Sequence, residues 1–162
     1  MINNNQITVL GIGNTLYSDE GIGIHILPKL EEVLKDIANV EIVHGATDGM
    51  MLLGPIEETD NLIIVDAINS GASPGTIIQI EGDEIPKYFG IKMSIHQQGF
   101  AEVLAAAQLR ERFPSQIVLI GMQPASLELG VELSQIGKET MPLLIERITM
   151  LINEWNDDFR HE

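Results

Sequence analysis

No cysteine occurs anywhere in the 162 residues. That excludes a disulfide framework, a thiolate nucleophile and a structural zinc site built on thiolates, and with them the cysteine proteases. Positive charge is scarce as well: 9 Lys and Arg face 24 Asp and Glu, for a formal net charge of -15. Phosphate backbones are held by Lys and Arg in numbers this chain lacks, so no nucleic-acid partner is expected, and anionic membrane surfaces are disfavoured on the same ground. The acidic balance suits a bound cation or a basic patch on a protein partner, or serves solubility alone. No apolar run reaches the length of a membrane-spanning helix, and the start Met1-Ile2-Asn3-Asn4-Asn5 lacks the basic opening of a signal peptide. A soluble, cytoplasmic, monomeric protein is the simplest expectation. Three catalytic signatures are missing too: there is no phosphate-binding Walker loop, no Gly-x-Ser-x-Gly elbow and no His-Glu-x-x-His helix. Standard serine hydrolases and zincins are therefore disfavoured.

With 44% hydrophobic residues the chain is long and apolar enough to bury a core, and residues 1–162 read as one domain. Ile7 to Leu10, Val40 to Val43, Asn61 to Ala67 and Ile117 to Met122 read as short strands, most of them continuously apolar, which suits a sheet covered on both faces. Thr76 to Ile80 alternates instead, as an edge strand does. Its short link from the third strand cannot hold a crossover helix, so that pair is antiparallel or not adjacent. Helical spacing joins Ile26, Leu27, Leu30, Val33, Leu34 and Ile37, with Pro28 set to kink the helix or delay its start. Met50 to Glu57 reads as a short helix or turn. Phe100, Val103, Leu104 and Ala107 outline a helix starting near Gly99 and ending near Phe113-Pro114. Met141, Leu144, Ile145, Ile148, Leu151, Ile152 and Trp155 mark a last helix followed by a fraying polar tail. The expected architecture is a three-layer α/β sandwich: a five-stranded, mostly parallel, twisted sheet with helices on both faces.

Gly11-x-Gly13 after a strand invites a dinucleotide reading, but position 16 is Leu where the fingerprint needs its third glycine. His44 stands where an acidic ribose ligand would end strand two. The glycines at 11, 13, 21 and 23 fit equally a tight loop that a substrate backbone can approach closely. Asn14 within it is a turn residue or a substrate-binding amide.

Three side chains fit metal chemistry better. Glu20 follows strand one, Asp66 closes the apolar run Leu62 to Val65, and His96 precedes the helix near Gly99. Two carboxylates and an imidazole form a mixed oxygen and nitrogen set suited to a borderline divalent ion such as nickel or zinc, with coordination positions left open. Open α/β sheets bind ligands outside the carboxyl ends of their strands, where Glu20 and Asp66 both fall. Each has a plainer alternative. Asp19, a candidate for moving a proton, also suits an N-cap, and Glu20 suits a first-turn acid favoured by the helix dipole. His96 alone is compatible with a satisfied polar residue. Asp66 is the strongest of them, because a carboxylate inside an apolar run is costly unless it is paired or binds something.

The blocks Val9 to Leu27, Gly45-Ala46-Thr47-Asp48-Gly49-Met50 with Leu52-Leu53, Leu62-Ile63-Ile64-Val65-Asp66-Ala67, and His96-Gln97 occur in an order and spacing that resembles the [NiFe]-hydrogenase maturation endopeptidases, from Ile7 to about Met150. The resemblance implies a three-layer α/β fold and removal of the C-terminal extension of a hydrogenase large-subunit precursor after nickel is in place. It implies that nickel belongs to the substrate and is read by Glu20, Asp66 and His96. For breaking the amide, the chemistry of the residues themselves offers Asp19 or Asp66 to move a proton, with the metal either activating the carbonyl or water or only positioning the peptide. One departure is visible: the family commonly opens an Asp-Gly-Gly-Thr-x-Gly block with aspartate, whereas this chain has His44. His44 either adds an imidazole to the crevice or caps its strand. A non-catalytic nickel-binding adaptor using the same three side chains, and a dinucleotide-binding oxidoreductase, are the rival readings.

Overall fold

The structure is a computed structural model that describes residues 4–45, 49–91 and 99–161. Five strands, β1 (Ile7–Gly11), β2 (Val40–His44), β3 (Asn61–Ala67), β4 (Ile77–Glu81) and β5 (Gln116–Met122), form one sheet in the order β2-β1-β3-β5-β4. All pairs are parallel except β4 with β5, so β4 is the antiparallel edge and does not touch β3, as its short connection requires.

The continuous apolar runs of β1, β3 and β5 follow from burial on both sides. Alternate residues serve two cores: Val9, Ile63, Val65, Val118 and Ile120 face one, and Leu10, Leu62, Ile64, Ile117 and Leu119 the other. The first core is closed by α1 (Ile22–His25), α2 (Leu27–Leu34) and α6 (Gln135–Arg160), through Ile22, Leu30, Ile148 and Trp155. The second is closed by α3 (Leu53–Glu57), α4 (Glu84–Ile91) and α5 (Phe100–Leu109), through Ile56, Phe89, Val103 and Leu104. Each fully buried side chain of this size contributes about 1.5–3 kcal/mol.

Pro28 delays the second helix as its chemistry dictates. The helix is interrupted at Ile26, and Pro28 occupies the first turn of α2, where its missing amide costs nothing. Other boundaries differ from expectation. The helix from Phe100 stops at Leu109 rather than near Phe113, because Glu111 takes a left-handed conformation (φ 56°) that no helix continues through. Helix α4 was not expected at all. The tail after Trp155 does not fray at once: α6 runs on to Arg160. There the Asn156 side-chain oxygen accepts hydrogen bonds from the Asn5 (2.8 Å) and Asn39 (2.7 Å) amides, tying the last turns to the start of the chain. The Met residues of α6 divide, with Met141 against the core and Met150 exposed.

Candidate active site

The carboxyl ends of β1, β3 and β5 form one edge of the sheet, and the loop after β1 folds over it. That loop turns through a 3-10 segment, Ser18–Gly21, directly into α1, and both pack against β3. Two glycines make this approach possible. A Cβ on Gly23 would collide with the backbone oxygens of Ile12 and Val65, so α1 touches the ends of β1 and β3 only because position 23 is bare. Gly13 adopts φ 147°, and a Cβ there would strike the Glu20 carbonyl. The Asn14 amide nitrogen donates to that carbonyl at 3.2 Å, and the Asn14 side-chain oxygen accepts from Leu16 N at 2.9 Å, closing a local Asx turn. The turn role of Asn14 is therefore realised.

Asp66 lies inside β3, opposite Gly121 of β5, and is wholly buried. Its Oδ1 accepts a 2.8 Å hydrogen bond from the following amide, Ala67 N. Glu20 is half-buried on the turn that packs against the same strand, and its backbone N–H donates to Tyr17 O at 3.1 Å. The fold thus brings the elements bearing Glu20 and Asp66 together at the sheet's carboxyl edge. His96 lies outside the described residues, as do Ala46, Thr47 and Asp48 of the second sequence block. Among the described residues no three His, Asp or Glu side chains are grouped to hold a metal ion. A three-ligand set on Glu20 and Asp66 needs a residue beyond them, and His96 is one such residue.

Asp19 has a different setting. It is wholly buried, and it serves no amide of its own turn. Its Oδ2 accepts from Ala125 N (2.9 Å), Ser126 N (3.2 Å) and Ser134 Oγ (2.7 Å), and its Oδ1 from Ser134 N (2.9 Å). Ser134 is the N-cap of α6, its Oγ accepting from Gly137 N at 3.0 Å while donating to Asp19. One carboxylate therefore ties the turn carrying Glu20 to the segment after β5 and to the start of the longest helix. Nothing near Asp19 in the sequence marks partners more than a hundred residues away.

His44 ends β2, exposed, and lines a pocket of about 340 Å³ with His25, Glu31 and the apolar Ile24, Leu27, Pro28 and Ile42. Neither Glu20 nor Asp66 lines it. Sequence reasoning passed over His25, whose Nε2 is buried with no hydrogen-bond partner among the described residues. Gln123 was missed too. It is buried at the end of β5, and its side chain accepts from Ser70 N at 2.8 Å and donates to Asn69 Oδ1 at 3.0 Å, fixing the loop that leaves β3 beyond Asp66.

Comparison with known proteins converges. Residues 24–151 match the family model of hydrogenase maturation protease. The hydrogenase expression/formation protein HupD of Rhizobium leguminosarum bv. viciae is 41% identical over 93% of this chain and 75% of its own length. The hydrogenase 2 maturation protease of Escherichia coli (strain K12) is 40% identical, with 92% of both chains covered. Among solved structures, the hydrogenase maturating endopeptidase HybD from E. coli superposes with a TM-score of 0.84 at 39% identity, covering 92% of this chain and 93% of that one. The [NiFe] hydrogenase maturation protease HybD from Thermococcus kodakarensis superposes with a TM-score of 0.74 at 26% identity, covering 91% and 99%.

Proposed function

Since the chain belongs to the hydrogenase maturation protease family and is a hydrolase, we propose that it removes the C-terminal extension of a [NiFe]-hydrogenase large-subunit precursor that has already received nickel. The nickel is part of the substrate. Glu20, Asp66 and His96 complete the coordination of that ion, so that only loaded precursor seats productively. Two carboxylates and an imidazole suit a borderline divalent metal whose remaining ligands the precursor supplies.

The observation that carries this reading is the placement of Asp66. A wholly buried carboxylate at the end of an apolar strand is costly in a sheet's interior, and its site lies where open α/β sheets engage ligands. In hydrolysis, Asp66 accepts a proton from the attacking water and the leaving amine takes one up. Asp19 is not the proton carrier in this scheme. Both of its oxygens are engaged by four donors, and it holds the wall of the crevice. Cytoplasmic action is part of the proposal; no helix among the described residues is long and apolar enough to cross a membrane.

The test is incubation of the protein with nickel-loaded and metal-free precursor, followed by intact-mass measurement of the large subunit. Loaded precursor should be shortened and metal-free precursor left intact, with zinc added to the enzyme failing to rescue it. Glu20→Ala, Asp66→Ala and His96→Ala should each cut turnover by about a hundredfold or more while thermal melts show a folded protein, the scale on which loss of a positioned catalytic group acts. Efficient processing of metal-free precursor, or full activity in folded Asp66→Ala, overturns the metal-reading scheme.

A further inference from the structure

Immediately before Glu20 the surface is unusually apolar. Leu16 (54% exposed), Leu127 (43%), Leu129 (79%) and Val131 (67%) stand in water together with Tyr17. They form one surface, because Tyr17 and Gly130 make a parallel bridge in which Gly130 N donates to Leu16 O and Ser18 N to Gly130 O, each at 2.8 Å. Ser18 Oγ adds a 2.7 Å bond to Glu128 O, and Ser18 itself is held in a left-handed conformation (φ 50°) that a non-glycine residue rarely adopts. Asp19 binds the amides of Ala125 and Ser126 at the base of the same segment.

An apolar patch on a segment tied down this firmly marks a contact surface. The sequence Leu127-Glu128-Leu129-Gly130-Val131-Glu132 interleaves the apolar side chains with Glu128 and Glu132, both exposed, in a chain of net charge -15. We propose that this patch docks the folded body of the large-subunit precursor through an apolar surface ringed by Lys and Arg. The proposal rests on the peptidase reading above and names how its substrate is held. The patch adjoins Glu20 on one continuous turn, so a partner seated on it lies beside the sheet's carboxyl edge. Exposed carboxylates interleaved with an apolar patch select a partner surface that is apolar and basic, and that complementarity favours the precursor over a second copy of this equally acidic chain.

Binding and cleavage are measured separately. Nickel-loaded precursor carrying its extension is titrated onto immobilised protein by biolayer interferometry, for wild type and for the Leu129→Asp/Val131→Asp pair. Leu143→Asp, at an exposed position of α6, is the control. The pair should raise Kd at least about tenfold and the control less than about twofold, as truncating a contact centre does. Glu128→Lys/Glu132→Lys should weaken binding and flatten its salt dependence. The milder Leu129→Ser/Val131→Ser pair, checked by thermal melting, guards against misfolding. Unchanged affinity in a folded pair variant, or no binding by wild type, overturns the docking proposal. So does a wild-type dimer in sedimentation that the pair converts to monomer without altering precursor affinity, which would assign the patch to a second copy. Precursor that binds through the patch yet stays full length overturns the peptidase reading and leaves the docking surface in place.

Discussion

Replacing Asp19 separates a positioning role from a chemical one. In Asp19→Ala, three backbone amides (Ala125, Ser126 and Ser134) and the Ser134 hydroxyl lose their acceptor together. A buried donor left without a partner costs about 1–3 kcal/mol. Ala125 is exposed, so water recovers part of that, and the loss should total about 3–5 kcal/mol against a domain stability of about 5–15 kcal/mol. For a chain of this size the midpoint should fall by about 6–20 °C. Asp19→Asn is milder. With its oxygen at the Oδ2 position it keeps Ala125, Ser126 and Ser134 Oγ, but its NH2 then faces Ser134 N, donor against donor, costing about 1–3 kcal/mol. The order of melting should be wild type, Asn, Ala, while Asp19→Asn below its melting range should keep most of its turnover. A calorimetric midpoint for Asp19→Ala within about 2 °C of wild type would refute the energetic argument. An Asp19→Asn protein that melts like wild type yet loses a hundredfold in turnover would make Asp19 a proton carrier after all.

Two further outcomes follow from the geometry. Gly23→Ala puts a methyl against the Ile12 and Val65 carbonyls, which belong to the sheet edge and cannot rotate away. It should destabilise the fold by about 2–4 kcal/mol in urea unfolding and impair cleavage, whereas Gly90→Ala, with open space around it, should cost under about 1 kcal/mol. His44→Ala should leave processing of loaded precursor within about threefold, since the pocket His44 lines includes neither Glu20 nor Asp66; a hundredfold loss would bring His44 into the site.

Much of this fold is legible along the chain because its signals are local. The uninterrupted apolar runs of β1, β3 and β5 announce strands buried on both faces, the alternation of β4 announces an edge, and the short link into it excludes a parallel pairing with β3. Helix α4 escapes the same reading because Pro86 and Gly90 interrupt a segment of only eight residues, and its order comes from Ile85 and Phe89 reaching a core already built by other elements. The end of α6 escapes because Asn156 is fastened by Asn5 and Asn39, partners no periodicity reveals. The site divides in the same way. Asp66 is conspicuous as a carboxylate in an apolar strand, and Glu20 through the glycine-rich wording around it. Asp19 reads locally as a cap, and its actual task depends on amides contributed by the last third of the chain.

The distance along the chain spanned by the Asp19 cluster also sets an order of assembly. Its bonds close loops of 106 to 115 residues, so the first can form only after Ala125 and Ser126, just beyond β5, have emerged, and the last only after Ser134 has. Contacts of such high sequence separation come late, because the entropy of closing the loop is spent before the contact is gained. A nascent or truncated chain ending before Ser134 would hold all five strands with Glu20 and Asp66, while lacking two of the four bonds that fasten the crevice wall. The crevice wall would then be fully fastened only once the start of α6 has emerged.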